Sequence, residues 1–428
     1  MQRAFISACR LIVIIALVSS LKCSKQPAHQ ASLNAGDFPS IQAALDALPS
    51  SGGLVRIPAG IYRISEPLRI RLSNVALVGE GRGTVIVNEN RQGEPAILAR
   101  PAKDPEANPL WGVTISNMCI TGDTAAIREA GAWPEEDRFL NQGGDGILAD
   151  HCYNSLFEKL WIVRNRGHGL NLVICYEDPR IQSCVVTYNR KSGIRLESCH
   201  DIVVSANQLE ENYQEGILAI GCYNLTASGN NIDDHRGPGI VLKSTTCSSL
   251  SGNLIEESRG WGLIFQDSHT NTFSAGTIRN NVPGGGVKFS NSSFNVISGC
   301  TFEANDSLAV YTDSDSRQNN ITGNTFSTER YEESTPSSSG LFIAGGENLV
   351  SANIISPKTG FGLILSGEAH NVFGNTIISP KGAHCILIEN LKNTIIRDNL
   401  LLSRLEAGSA GVILKRGSNR GNRLENNR

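Results

Sequence analysis

The feature that most constrains this 428-residue chain is a repeat. A glycine, or a small residue standing in for it, precedes a short apolar alternation at positions 146, 169, 193, 216, 239, 262, 286, 309, 340, 362, 385 and 411. The copies include DGILAD, HGLNLV, SGIRLE, EGILAI, PGIVLK and WGLIFQ. Most intervals are 22 to 24 residues; one of 31 carries the polar insertion 327–339, and another is 26. Twelve copies at one period describe a solenoid whose units bury their apolar faces on one another. Gly, Asn and Ser recur inside every copy and leave no room for a helix. Each copy also holds a second apolar pair, as in SLFEKLWIV and DIVVSANQL. The leucine and asparagine spacing of leucine-rich repeats is absent. The chain is therefore expected to be all-β, a right-handed parallel β-helix with two or three short strands per coil. At about 4.8 Å per coil, twelve coils make a rod on the order of 60 Å long.

Other residues recur in register. Cys152, Cys175, Cys199 and Cys222 lie six residues past their anchors, and Tyr153, Tyr176, His200 and Tyr223 lie seven past. Asn165, Asn189, Asn212, Asn281 and Asn305 lie 19 or 20 past. In-register parallel strands stack identical residues, and stacked asparagines bond along the stack. The cysteine column reads as a buried ladder of small side chains whose rungs are close enough for one bridge. Four cysteines without interleaved histidines lack the spacing of a zinc site.

Before the repeat, residues 36–53 read as a helix that caps the open end of the solenoid. Ile41, Ala44, Leu45 and Leu48 form its apolar stripe, and Asp37 suits its N-cap. Residues 1–23 read as an export signal, with Arg3 before the apolar core 11–20, which is too short to span a bilayer. Cys23 after that core offers a lipid anchor. The organisation expected is a linker at 24–35 and a single domain at 36–428. That domain divides into the capping helix, N-terminal coils at 54–120, a loop insertion at 121–145 and the twelve repeat coils from 146. A net charge of −3 carries no polybasic footprint for nucleic acid, and no other segment suits a membrane span.

The segment DFPSIQAALDALPSSGGLVRIPAGIYRI, followed by SNVALVGEGRGT, resembles the opening of the pectate-lyase-like superfamily. That resemblance implies a β-helix acting on pectin-like or other acidic polysaccharides as lyase, hydrolase, esterase or epimerase. The QDTL and DFIFG motifs of pectinesterases and the DPH signature of epimerases are not found. Polygalacturonase-type hydrolases show DD, GHG and RIK on successive rungs, and the corresponding residues here are GGD (143–145), GHG (167–169) and RLE (195–197). Asp145, His168 and Arg195 match that pattern by position. Gly144 replaces its first Asp, and Glu197 replaces its Lys.

Strand alternation directs the residues one and three past each anchor inward and those two and four past it outward. Candidate catalytic residues are then Asp145, His168, Arg195, Asp150 and Glu197. Asp150 and Glu197 share an outward column two rungs apart, about 9.6 Å, near the separation of inverting glycosidase carboxylates. Candidate substrate-binding residues are Asn171, Lys243, Trp261, Lys288 and, in the loop insertion, Trp133. Hydrolysis by these carboxylates is the first expectation. A uronate lyase using Arg195, Lys243 and Lys288 is the second, with Ca²⁺ held by Asp150 or Glu197. A non-catalytic glycan-binding or cell-surface β-helix is the third. Hydrolysis requires no cofactor. Leu218, Val241, Ile264, Phe342, Ile364, Leu387 and Ile413 form an outward apolar file that suggests a homo-oligomer, specifically a trimer.

Overall fold

The computed structural model describes residues 31–122, 144–327, 339–380, 383–402 and 413–428. They form a parallel β-solenoid with three faces. Face 1 is a sheet of fourteen strands, from Leu68–Ile70 and Ile97–Ala99 through Ile147–Asp150, Leu170–Val173 and Ile194–Glu197 to Ile413–Arg416. Thirteen spacings of about 4.8 Å give that face a length of roughly 62 Å. Faces 2 and 3 alternate along the chain and share the large second sheet; Val203–Ser205 and Gln208–Glu210 represent them in one coil. Leu156–Val163 runs through the corner, pairing with face 2 at Arg180–Gln182 and with face 3 at Val185–Thr187. Apart from the join that leaves face 1 between Ile97–Ala99 and Leu110–Trp111, the long joins lead from face 3 to face 1. They run from Thr114–Gly122 to Ile147–Asp150, from Thr325–Ser327 to Ser339–Ile343, and from Leu400–Leu402 to Ile413–Arg416.

The repeating glycine has a packing cause. A Cβ on Gly169 would lie 2.3 Å from Val186 Cγ1, and one on Gly216 would lie 2.6 Å from Ile232 Cγ2. The corner into face 1 is thus filled by the β-branched core residue of face 3 in the same coil. Across that corner Ile147, Ala149, Leu170, Leu172, Ile194 and Leu196 are buried, so the inward alternation is as expected.

Between faces 2 and 3 the chain turns through one residue of positive φ, such as Ala206 at 52° or Gly229 at 61°. The next residue points inward and is commonly asparagine. Asn207 Oδ1 accepts the Cys184 N–H at 3.0 Å, while its Nδ2 donates to Ile181 O at 3.1 Å and to Asn230 Oδ1 at 3.0 Å. Asn230 and Asn253 continue the ladder, and Asn324, Asn353, Asn375 and Asn399 resume it. A second column holds Asn271, Asn295, Asn319 and Asn348. The expected column of Asn165, Asn189 and Asn212 is the third; there His235 Nδ1 accepts the Asn212 N–H, and Asn281 and Asn305 follow. Each amide satisfies backbone groups that the tight turn would otherwise leave unpaired in the core.

The cysteine column is buried and its thiols are free. The Cys175 thiol donates to carbonyl oxygens of Ala149 and Val173 at 3.5 Å, and burial pushes it well above the ordinary thiol range. Three local expectations shift. The helix is Ile41–Asp46, and Ser40 caps it through Oγ to Ala43 N–H, because Asp37 closes a 3-10 turn capped by Asn34. The first strand, Ala31–Asn34, pairs with Gly53–Arg56, so part of the expected linker belongs to the first coil. Ile413 pairs with the inward Ile386 and packs on the core; Leu414 takes the outward place. Gly411 lies outside the described residues, one position before the place the strand register requires.

Three outcomes follow from this packing. Asn230→Leu strands the Asn207 N–H and Val204 O, and is expected to cost about 1–3 kcal/mol in urea unfolding. Burial lowers His235 to about 3, so its share of stability is complete above the unfolded value near 6.5 and is lost as pH falls towards 3. His235→Asn restores the ladder residue and should flatten the fall in urea midpoint over that window; an unaltered slope would contradict this. Native protein should lose one fast thiol towards Ellman's reagent on Cys247→Ser, since Cys247 is exposed, whereas Cys175→Ser changes the count only after denaturation.

Candidate functional site

Three consecutive rungs of face 1 build one polar network. The strand pairing sets Asn171 beside Arg195 and Val173 beside Glu197. Asp145 sits at the corner just before Ile147–Asp150. Its Oδ1 accepts the His168 backbone N–H at 2.7 Å, and its Oδ2 accepts from Asn171 Nδ2 at 2.8 Å. Asn171 Oδ1 accepts from Arg195 Nη1 at 3.0 Å, and Arg195 Nη2 donates to Glu197 Oε2 at 2.6 Å. The line therefore runs Asp145, Asn171, Arg195, Glu197 across the outward surface. Burial raises the Asp145 carboxyl above its ordinary range, opposed by the bonds from Asn171 and His168 and by the charges of Lys191 and Arg195.

His168 is only 8% exposed. Its Nδ1 accepts the Ser192 N–H at 3.2 Å, which places the proton of the neutral ring on Nε2. Burial, followed by the charges of Lys191 and Arg195, lowers it to about 3. Near neutral pH it can donate a hydrogen bond and carries no charge. Both glycines around it are sterically required. A Cβ on Gly167 would lie 2.2 Å from Asp145 Oδ1, and Gly169 clears Val186. Gly144 also has a physical reason: a Cβ there would lie 2.0 Å from the Glu94 carbonyl oxygen. The place of the first Asp in the polygalacturonase pattern is closed by backbone.

Asp150 belongs to a second group. It lies 3.0 Å from Arg100 Nε and 2.6 Å from His151 Nδ1, one oxygen to each. Arg100 and His151 were not among the sequence candidates. Their signal was the likeness of AILAR (96–100) to GILAD (146–150), and the structure pairs Ile97, Leu98 and Ala99 with Ile147, Leu148 and Ala149. An aromatic stack also runs up the corner after face 1. Trp111 and Tyr153 have ring centroids 5.3 Å apart, Tyr153 and Tyr176 5.2 Å, and Tyr176 and His200 4.4 Å.

The remaining candidates do not join the network. Arg195 and Lys288 share one outward file, but Leu218, Val241 and Ile264 stand between them. Lys243 lies in the neighbouring file, paired with Ile220 and Gln266, so the three cations expected in one file form no cluster. Trp261 faces Tyr311 at 6.3 Å. Trp133 lies outside the described residues.

Residues 116–293, less than half of the chain, match the family described as Periplasmic copper-binding protein (NosD). The donors seen here do not fit copper. Among the described residues no three His, Cys, Asp or Glu side chains converge in a way that could hold a metal ion, and the thiol ladder is buried and bonded to carbonyls. No curated protein matches the sequence. Among solved structures, the DFA-IIIase of Arthrobacter chlorophenolicus A6 in complex with DFA-III is similar at 12% identity and a TM-score of 0.54, covering 90% of this chain and 96% of that one. The enzymatically active domain of tailspike protein 2 from Bacteriophage CBA120 gives 13% and 0.52 over 66% of this chain and 44% of that one. The A-module of the Azotobacter vinelandii mannuronan C-5 epimerase AlgE4 gives 15% and 0.50 over 92% and 97%. At such identities the likeness is one of fold. Stacked parallel strands, three faces and these neighbours together make the chain a right-handed parallel β-helix.

Proposed function

We propose that this protein is an exported enzyme that cleaves an acidic polysaccharide on face 1. The observation that carries the reading is the Asp145–Asn171–Arg195–Glu197 network. It joins a carboxyl raised by burial to a second carboxylate through two polar side chains on adjacent rungs. In hydrolysis Asp145 gives its proton to the leaving glycosidic oxygen, and Glu197 takes a proton from the water that attacks the anomeric carbon. The C–O bond breaks as the water oxygen bonds to carbon. Asn171 and the His168 N–H hold the Asp145 carboxyl in place, and Arg195 holds Glu197. Support for a glycan comes from the neighbours, a mannuronan C-5 epimerase module and a DFA-IIIase in complex with DFA-III. Export is supported by the sequence of residues 1–23 and by the periplasmic description of the matched family; no helix among the described residues is long and apolar enough to cross a membrane.

A second reading is favoured by Arg195, which lies at the centre of the network rather than at its edge. A guanidinium there suits a uronate carboxylate whose charge grows when the C5 proton is removed, as in β-elimination, with Ca²⁺ on Asp150 or Glu197 as a further expectation of that chemistry. Product analysis separates the two readings. New reducing ends without ultraviolet absorbance from an unsaturated uronate mean hydrolysis; the absorbance means elimination. Asp145→Asn and Glu197→Gln are each expected to lower kcat by about 10²-fold or more with the fold intact. Full turnover in both variants would remove the network from the reaction. The aliphatic file of Leu218, Val241 and Ile264 carries self-association in this reading, and a monomer by light scattering would remove that part.

A further inference from the structure

The first two rungs of face 1 carry a concentration of positive charge that the reaction above does not use. Arg69 is the outward residue of Leu68–Ile70 and stands beside Leu98 of the next rung. Arg71 and Arg100 each follow the last paired residue of their strands, Ile70 and Ala99. With Lys103 from the chain just beyond, these side chains line a cleft of about 290 Å³, together with Leu98 and Pro101. Four cations against one lining acid, Asp104, stand out in a chain whose net charge is −3.

Three of the cations have carboxylate partners. Arg69 Nη2 lies 2.9 Å from Glu94, Arg100 Nε lies 3.0 Å from Asp150, and Arg71 is 4.0 Å from Asp46. None of those acids lines the cleft. Each orients a guanidinium through one or two of its five donors, which leaves the others for a ligand. The Arg71–Asp46 pair is long and half exposed, so it competes weakly with an incoming anion. Lys103 is exposed and has no ion pair among the described residues. Arg100 also continues into a buried group: Asp150 bridges it to His151, whose Nε2 is buried with no hydrogen-bond partner among the described residues.

The strand register gives the cleft a direction. Arg69, Leu98, Leu148, Asn171 and Arg195 succeed one another along a single outward file. The cleft therefore lies at one end of a track that leads along the rod to the Asp145–Glu197 network, about 14 Å from the Leu98 rung to the Arg195 rung. That distance is the scale of a few sugar units.

We propose that the Arg69–Arg71–Arg100–Lys103 cleft is an anion subsite. It binds the carboxylate of one uronate unit of an acidic glycan whose chain lies along face 1. This assignment rests on the reading that the protein handles an acidic glycan, and it adds where the chain is held and by which charge. Sulfate esters offer the same oxyanion chemistry, and the test separates the two sources.

The test is calorimetric titration of the full chain with three probes. They are trigalacturonate, a carrageenan tetrasaccharide carrying sulfate and no carboxylate, and neutral maltotriose. Trigalacturonate should bind, and its affinity should weaken with added salt. The double variant Arg71→Ser/Lys103→Ser should lose roughly tenfold or more in affinity, the scale of one charge-assisted hydrogen bond. Both residues are exposed, and an unchanged thermal midpoint shows that the variant is folded. Stronger binding of carrageenan with the same loss in the variant keeps the anion subsite and assigns it to sulfate. Equal affinity for maltotriose, unchanged affinity in the variant, or no binding of any probe overturns the cleft. Product formation from acidic glycans is scored separately. Turnover by wild type with unchanged binding in the variant sinks the subsite and spares the enzyme, whereas variant-sensitive binding without product does the reverse.

Discussion

The side-chain amide that points inward from a tight corner and bonds the coil on either side is what the rest of the structure depends on. Asn207, bonded to Cys184, Ile181 and Asn230, satisfies the turn of the coil before its own and ties three coils together. Hydrophobic stacking is non-directional and would tolerate a slip by two residues, which keeps the same side chains inward. The amide ladder would not, because a slip takes Oδ1 away from the next backbone N–H. It therefore sets the register that places Asn171 beside Arg195 and Val173 beside Glu197. The chemistry of face 1 is positioned by amides on other corners of the rod.

Face 1 changes character along its length. Its first two rungs hold Arg69, Arg71 and Arg100, the next three carry the polar network, and Leu218, Val241 and Ile264 then follow in the same file. The backbone is nearly the same in every rung, so this gradient lies wholly in the outward side chains. Such a division lets scaffold and site vary independently. Gly144 marks a limit to that freedom, since the Glu94 carbonyl occupies the space an aspartate would need.

Much of this was legible because a solenoid converts sequence period into spatial neighbourhood. The period alone put Asp145, His168 and Arg195 on successive rungs, and the structure has them there. It could not show that Asp145 spends one oxygen on a backbone N–H, since periodicity says nothing of side-chain direction at a corner. It missed Arg100 because Ala96 stands where the anchor glycine would be and the long join before Gly144 breaks the count. It misplaced Ile413 because a glycine one residue early was taken as the anchor. Two of the three polar columns escaped notice because Cys, Ser, Thr and His alternate with Asn in them. Geometry tolerates those exchanges, whereas a search for identical letters does not.

The long joins from face 3 to face 1 carry one more consequence. Each begins after a strand of face 3 and ends at a strand of face 1 whose register is already fixed by its neighbours. Lengthening such a join adds little closure entropy, because that term grows only slowly with loop length. The margin of face 1 is therefore the part of this molecule that evolution can rewrite most freely. New recognition can be drafted there by insertion and deletion, while the rungs beneath continue to serve as a ruled page.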